Sequence, residues 1–155
     1  MKLATIALAV AGAALVAVVS GGARAEDAAA VLAQRQDLMK QQAKDMKAIK
    51  EYLDGKGELD PAKAAAADLT KTMAQVPSLF PKDTGMGQLP KSEAKPDIWT
   101  EWDKFLAAQK TAADKIEKLN AAFASGDKTA IASDYADLGK NGCGNCHQTF
   151  RQKKS

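Results

Sequence analysis

Four stretches of this 155-residue chain repeat apolar residues at alternating spacings of three and four, and none shows a convincing strand alternation. In the first, Leu32, Arg35, Met39, Gln42, Met46, Ile49 and Leu53 fall along one helix face, and Gly55 and Gly57 end the run. The second is expected to start with Asp60 as N-cap and Pro61 at the first helical position, to turn Ala66, Leu69, Met73 and Val76 inward, and to close at Pro77. The third starts near Pro96-Asp97 and repeats Ile98, Trp102, Phe105, Gln109, Ala112, Ile116, Leu119 and Phe123 until Gly126, a residue suited to a left-handed helix stop. The fourth runs from about Asp127 to Lys153 through Ile131, Tyr135, Leu138, Gly142 and Phe150. Helices of this length, each with one apolar stripe, can bury that stripe only against one another. The expected fold is therefore all-α, an antiparallel four-helix bundle.

The amino terminus is of a different kind. Lys2 precedes an apolar run from Leu3 to Val19, then Ser20-Gly21-Gly22 and the small-x-small triplet Ala23-Arg24-Ala25. That pattern reads as a secretory signal over residues 1–25, cleaved before Glu26, leaving one domain over 26–155. The leader holds Lys2 and Arg24 but no acid, so the mature chain has twenty basic residues against nineteen acidic, a net charge of +1. A balance so near neutrality gives no footprint for nucleic acid or for a strongly anionic membrane surface, and no span is expected in the mature chain.

Both cysteines and the only histidine lie together in Cys143-Gly144-Asn145-Cys146-His147. C-x-x-C-H is the attachment signature of c-type haem, in which two thiols form thioethers with the vinyl groups and the adjacent imidazole ligates iron. On a helix the three residues share one face, so both sulfurs can clamp one edge of a macrocycle while the imidazole points at its centre. A tetrahedral zinc site needs about four ligands, and no second Cys or His pair is present. A thioredoxin-type pair belongs at a helix start after a strand, whereas these cysteines fall near the end of the last helix. A disulfide across two intervening residues would close too small a loop to stabilise much. Aromatic residues make up only 5% of the chain and alanine is abundant, which suits a core completed by a cofactor.

A single histidine excludes bis-histidine ligation within the chain, so the sixth iron position falls to a methionine, to an unusual ligand such as lysine, or to none. In an antiparallel bundle Met39 and Met73 both reach the level of His147, while Met46 lies roughly 10 Å further along the first helix. Arg35 sits on the inward stripe, where an unpaired cation is costly, and a haem propionate is its natural partner; snorkelling along the helix is the alternative. Arg151, one turn after His147, either approaches the proximal face or, with Lys153 and Lys154, answers the helix dipole. Phe150 is expected to pack against the haem edge. The long connection from Pro77 to Lys95 is rich in Pro, Gly and Lys. It reads as a crossover covering the bundle end, or as a functional loop that packs Phe80 on the haem.

The run Cys143-Gly-Asn-Cys146-His147-Gln-Thr-Phe150-Arg151, the segment Arg35-Gln36-Asp37-Leu38-Met39 and the segment Pro96-Asp97-Ile98-Trp99 together resemble the class II c-type cytochromes, the cytochromes c prime and low-spin cytochromes c-556. The resemblance spans essentially the whole mature chain. It implies a four-helix bundle around one covalent haem c, with His147 proximal, the first helix distal, and Gln36 beside Arg35 at the haem. It also places the residue four after the arginine on the distal side of the iron. That residue is apolar, typically leucine, in the five-coordinate cytochromes c prime, and here it is Met39. His/Met ligation gives a low-spin centre of raised potential. The expected function is a periplasmic one-electron carrier, not an enzyme, that meets periplasmic redox proteins as a monomer or homodimer. The alternative is a five-coordinate protein binding nitric oxide or carbon monoxide.

Overall fold

The computed structural model describes residues 21–152, with side chains from Glu26 onward. Most of the expected leader, together with Lys153 and Lys154, lies outside the described residues. Helix α1 (Gly21–Leu53) is followed by α2 (Leu59–Gln75), a 3₁₀ turn (Val76–Leu79), the crossover, a short α3 (Asp97–Thr100) and α4 (Trp102–Ser125). The fourth rod is compound: α5 (Lys128–Asp137), a π-helical segment (Leu138–Gly144) and α6 (Asn145–Phe150) run on without a break. α1 packs on α2, α2 on α4, and α4 along the whole fourth rod, while α5 closes the ring against α1. Among the described residues there is no strand, only one antiparallel bridge between Ala94 and Arg151.

The expected stripes turn inward, though Met39, Gln42, Met46 and Leu53 of the first are only half-buried. Ala66, Leu69, Met73 and Val76 of the second stripe are all in the core, as are Phe105, Ala112, Ile116, Leu119 and Phe123 of the third. Each large apolar side chain so buried contributes about 1.5–3 kcal/mol relative to exposure. Gly126 takes the left-handed conformation (φ 74°) that ends α4. Asp127 caps α5 by accepting from the backbone N–H groups of Thr129 (2.9 Å) and Ala130 (3.2 Å).

Three local expectations are corrected. Asp60 is not the N-cap of α2: the helix starts at Leu59 after Glu58, which makes no side-chain cap bond, and Pro61 sits within the first turn where its missing N–H is harmless. The third helix is broken at Glu101 (φ −123°, ψ 44°), so α3 tilts toward the crossover, where Trp99 Nε1 donates to the carbonyls of Phe80 (3.0 Å) and Pro81 (3.1 Å). The fourth helix stops at Phe150. Arg151 is extended because backbone bonds from Lys95 N to Phe150 O and from Gln152 N to Glu93 O, both 2.9 Å, tie the chain end to the crossover.

The two ends of the bundle differ. At one end Ile49, Ala62, Ala66, Leu119, Phe123 and Ile131 are packed almost without exposure, and the Tyr52 and Phe123 rings lie 6.0 Å apart. The crossover closes the other end, beside the carboxy-terminal motif.

Candidate haem site

The fourth rod delivers the motif in two steps. Cys143 belongs to the π-helical segment, while Cys146 and His147 stand on α6. Gly142 allows the rod close to α4, since a Cβ there would lie 3.0 Å from Leu138 Cδ1 and 3.4 Å from the Ala112 Cα. Both cysteines are free, and burial pushes both thiols up, Cys146 to about 11. A thiol held neutral in this way is unlike the low-pKa thiolate of a redox-exchange pair. Among the described residues no group of three or more His, Cys, Asp or Glu side chains could hold a metal ion by itself.

Two adjoining cavities open in front of these residues. The larger, about 480 Å³, runs from Leu32, Arg35 and Met39 of α1 across Phe80 and Ala94 of the crossover to Phe105, Cys146, His147 and Phe150. The smaller, about 230 Å³, is lined by Met39, Gln42, Met46, Met73, Gln109 and Ala112, and reaches Cys143, Cys146 and His147. Their shared wall includes Met39, Ala43, Val76, Cys146 and His147. The larger cavity is that of a cofactor-sized site, about 300–1,000 Å³, and the smaller adjoins it. The donor set of two thiols and an imidazole on one mostly apolar wall fits a flat apolar macrocycle held by thioethers. Phe105 lines the floor of the larger cavity, 4.9 Å from Phe80, 5.2 Å from Trp102 and 5.5 Å edge-on from Phe150.

Every sequence-derived site residue borders this space. Cys143 touches the smaller cavity; Arg35, Gln36, Phe150 and Arg151 touch the larger; Met39, Cys146 and His147 touch both. Met46 and Met73 border only the smaller. Arg35 is 5% exposed and clasps the crossover: Nη2 donates to Thr84 O (2.8 Å) and Ser92 Oγ (3.1 Å), Nη1 to Thr84 Oγ1 (3.3 Å) and Leu79 O (3.4 Å). Its guanidinium also lies 4.5 Å from the Phe80 ring centroid, and burial draws its pKa down to about 10, so it stays charged at neutral pH. Gln36 Nε2 donates to Lys91 O (3.2 Å), and Arg151 Nε to Glu93 Oε2 (2.6 Å). Sequence reasoning missed Thr84 and Ser92, both fully buried, as well as Lys40, Lys91 and Glu93 at the cavity mouth. No periodicity marks the four that lie in the crossover, which has none, and Lys40 stands on α1 off its apolar stripe.

The sequence profile of the family described as Cytochrome C' matches residues 30–151. A cytochrome c-554 from Cereibacter sphaeroides is 39% identical over 90 residues, 57% of this chain, and the match spans just under two thirds (66%) of that relative's length. A cytochrome c-556 from Agrobacterium fabrum is 34% identical over 130 residues, 82% of this chain and 84% of its own. Among solved structures, the nitric oxide complex of a mutant cytochrome c prime from Alcaligenes xylosoxidans is similar, with a TM-score of 0.70, 26% identity, and coverage of 84% of this chain and 97% of that one. One covalent haem c is the cofactor of such proteins, and Cys143 and Cys146 are the two cysteines present to carry it. With its helical bundle, its carboxy-terminal attachment motif and the cavity in front of that motif, the chain belongs to the cytochrome c prime family of class II c-type cytochromes.

Proposed function

We propose that the protein is a periplasmic one-electron carrier, not an enzyme, in which His147 and Met39 would ligate the haem iron as a low-spin centre. The observation that carries this reading is that Met39 alone among the described methionines borders both cavities together with Cys146 and His147. The bound haem supplies an iron that alternates between ferric and ferrous states. The chain's part is to anchor the macrocycle through Cys143 and Cys146, to surround it with apolar side chains, and to keep the same two ligands in both states. Arg35 has only neutral partners among the described residues and borders the larger cavity, which suits it to a propionate as well as to the crossover. Gln36 and Arg151 stand at the same mouth, and Phe150 packs at the haem edge. Electron exchange with periplasmic redox proteins would take place at the haem edge. The chain 26–155 is the exported domain, as a monomer or homodimer; no described helix is long and apolar enough to cross a membrane.

The similarity to a nitric oxide complex of a cytochrome c prime favours a second reading, a distal site open to small gases. Absorption spectra of the oxidised and reduced holoprotein, with and without carbon monoxide, separate the two. The carrier reading expects a low-spin spectrum that carbon monoxide leaves unchanged at neutral pH, and Met39→Leu converting the centre to a high-spin form that takes up the gas. Ready carbon monoxide binding by the unmodified reduced protein overturns it. A Met39→Leu protein that stays low-spin while Met73→Leu does not moves the ligand to Met73.

A further inference from the structure

The smaller cavity is lined by a residue with an unpaired polar atom. Gln42 Nε2 is shielded from solvent and has no hydrogen-bond partner among the described residues. It shares the cavity wall with the thioethers of Met39, Met46 and Met73 and with His147. The other amide of that wall is satisfied, since Gln109 Nε2 donates to Met73 O at 3.0 Å. An orphan amide donor inside a mostly apolar cavity is costly, and folded proteins retain few without a use for them. Gln42 lies on the inward stripe of α1 three residues after Met39, the spacing at which helix side chains meet. Besides the Gln109 amide oxygen and the His147 ring, the side-chain acceptors of the wall are sulfur atoms, weak acceptors that an amide N–H can reach, and Met39 is the one a helix turn away on the same face.

We propose that Gln42 is a positioning residue for the sixth iron ligand, its side-chain N–H donating to the Met39 sulfur when that sulfur is bound to iron. This rests on the reading of Met39 as ligand and gives the otherwise unpaired amide its acceptor. A donor at the sulfur withdraws electron density from the atom that donates to iron, and the positive end of the N–H dipole faces the metal. Both effects disfavour the ferric state relative to the ferrous, so Gln42 raises the reduction potential.

The test compares wild-type holoprotein with Gln42→Leu, which fits the apolar wall, and Gln42→Ala. Two quantities are read: the midpoint potential by spectroelectrochemical titration and the sulfur-to-iron charge-transfer band of the ferric form. The expected result is that both variants stay low-spin, the potential falls and the band shifts. In wild-type protein with ¹⁵N-labelled glutamine, the Gln42 amide is expected to be hyperfine-shifted and slow to exchange. A low-spin variant with unchanged potential and band overturns this inference and leaves the carrier reading standing. A high-spin wild-type protein overturns the carrier reading and this inference with it. An effect of Gln42→Leu confined to the carbon monoxide stretch of the Met39→Leu protein assigns the amide to an exogenous ligand and overturns donation to Met39.

Discussion

Asp45 of α1 is 6% exposed, with Oδ2 unpartnered and Oδ1 accepting from Gln41 Nε2 at 3.0 Å. The same amide reaches toward Asp68 Oδ2 at 3.5 Å, so one neutral side chain stands between two carboxyl groups. Burial and then the Asp68 charge push the Asp45 pKa up, against smaller opposing pulls from Gln41 and Lys44. A carboxyl whose folded pKa is raised binds its proton more tightly in the folded state. The folded state is therefore penalised as pH rises above the ordinary aspartate value of about 3.9, and the penalty is absent in acid. Asp45→Asn is expected to stabilise the protein at pH 7 by on the order of 1 kcal/mol, with the gain fading toward pH 4. Urea unfolding at the two pH values checks it, and a gain equal at both rejects the account. Neither Asp45 nor its partner was legible in the sequence, because Asp45 sits off the apolar stripe and Asp68 belongs to another helix. Arg35 was legible as an inward cation. Its clasp on Thr84 and Ser92 was not, because contacts 49 and 57 residues away leave no local signature.

The crossover is held to three elements at once: to α1 through Arg35, to α3 through Trp99, and to the end of α6 through the Glu93–Gln152 and Lys95–Phe150 backbone bonds. Lys95 Nζ adds bonds to the carbonyls of Thr149 (3.0 Å) and Gln148 (3.4 Å), which α6 leaves unpaired at its end. The strap thereby fixes Phe80 and Ala94 as cavity wall. Its tightest joint is at Gly85, where a Cβ would lie 2.6 Å from Trp99 Cζ3 and 3.0 Å from Cη2. Trp99 cannot swing away without losing its two carbonyl bonds. Gly85→Ala is accordingly expected to cost about 1–3 kcal/mol, as overpacking does, and to alter the Trp99 emission. Thermal melts with fluorescence detection test this, and an unchanged Tm together with unchanged emission shows the joint to be loose. The helices flanking the strap were readable from their 3.6-residue rhythm, and the strap was readable only as a long loop containing Phe80. The π-helical segment escaped notice because Leu138, Gly142 and Phe150 still look periodic when the backbone winds wider, and Gly139, Gly142 and Gly144 tolerate the change.

At the scale of the whole bundle, stability is divided between ends with different requirements. The end built from Ile49, Ala62, Ala66, Leu119, Phe123 and Ile131 is packed by the chain alone. The end built from Leu32, Phe80, Phe105 and Phe150 surrounds the larger cavity, and a haem held there would supply apolar contact that side chains do not. A group bound only in the folded state stabilises that state, and covalent attachment keeps it permanently at hand. Removing attachment with Cys143→Ser and Cys146→Ser together is therefore expected to lower the thermal midpoint without erasing the helical signal. The loss should also be uneven. Amide hydrogen exchange should accelerate in α6, in the crossover and in the Leu32–Met39 stretch of α1, while the Ile116–Phe123 stretch of α4 and the Ala62–Leu69 stretch of α2 remain comparatively protected. The uneven pattern separates a cofactor-completed end from a bundle that melts as one unit, because a single cooperative core would speed exchange everywhere by the same factor. Uniform acceleration would thus show that the packed end depends on the haem as much as the cavity end does, and that the bundle has one core instead of two.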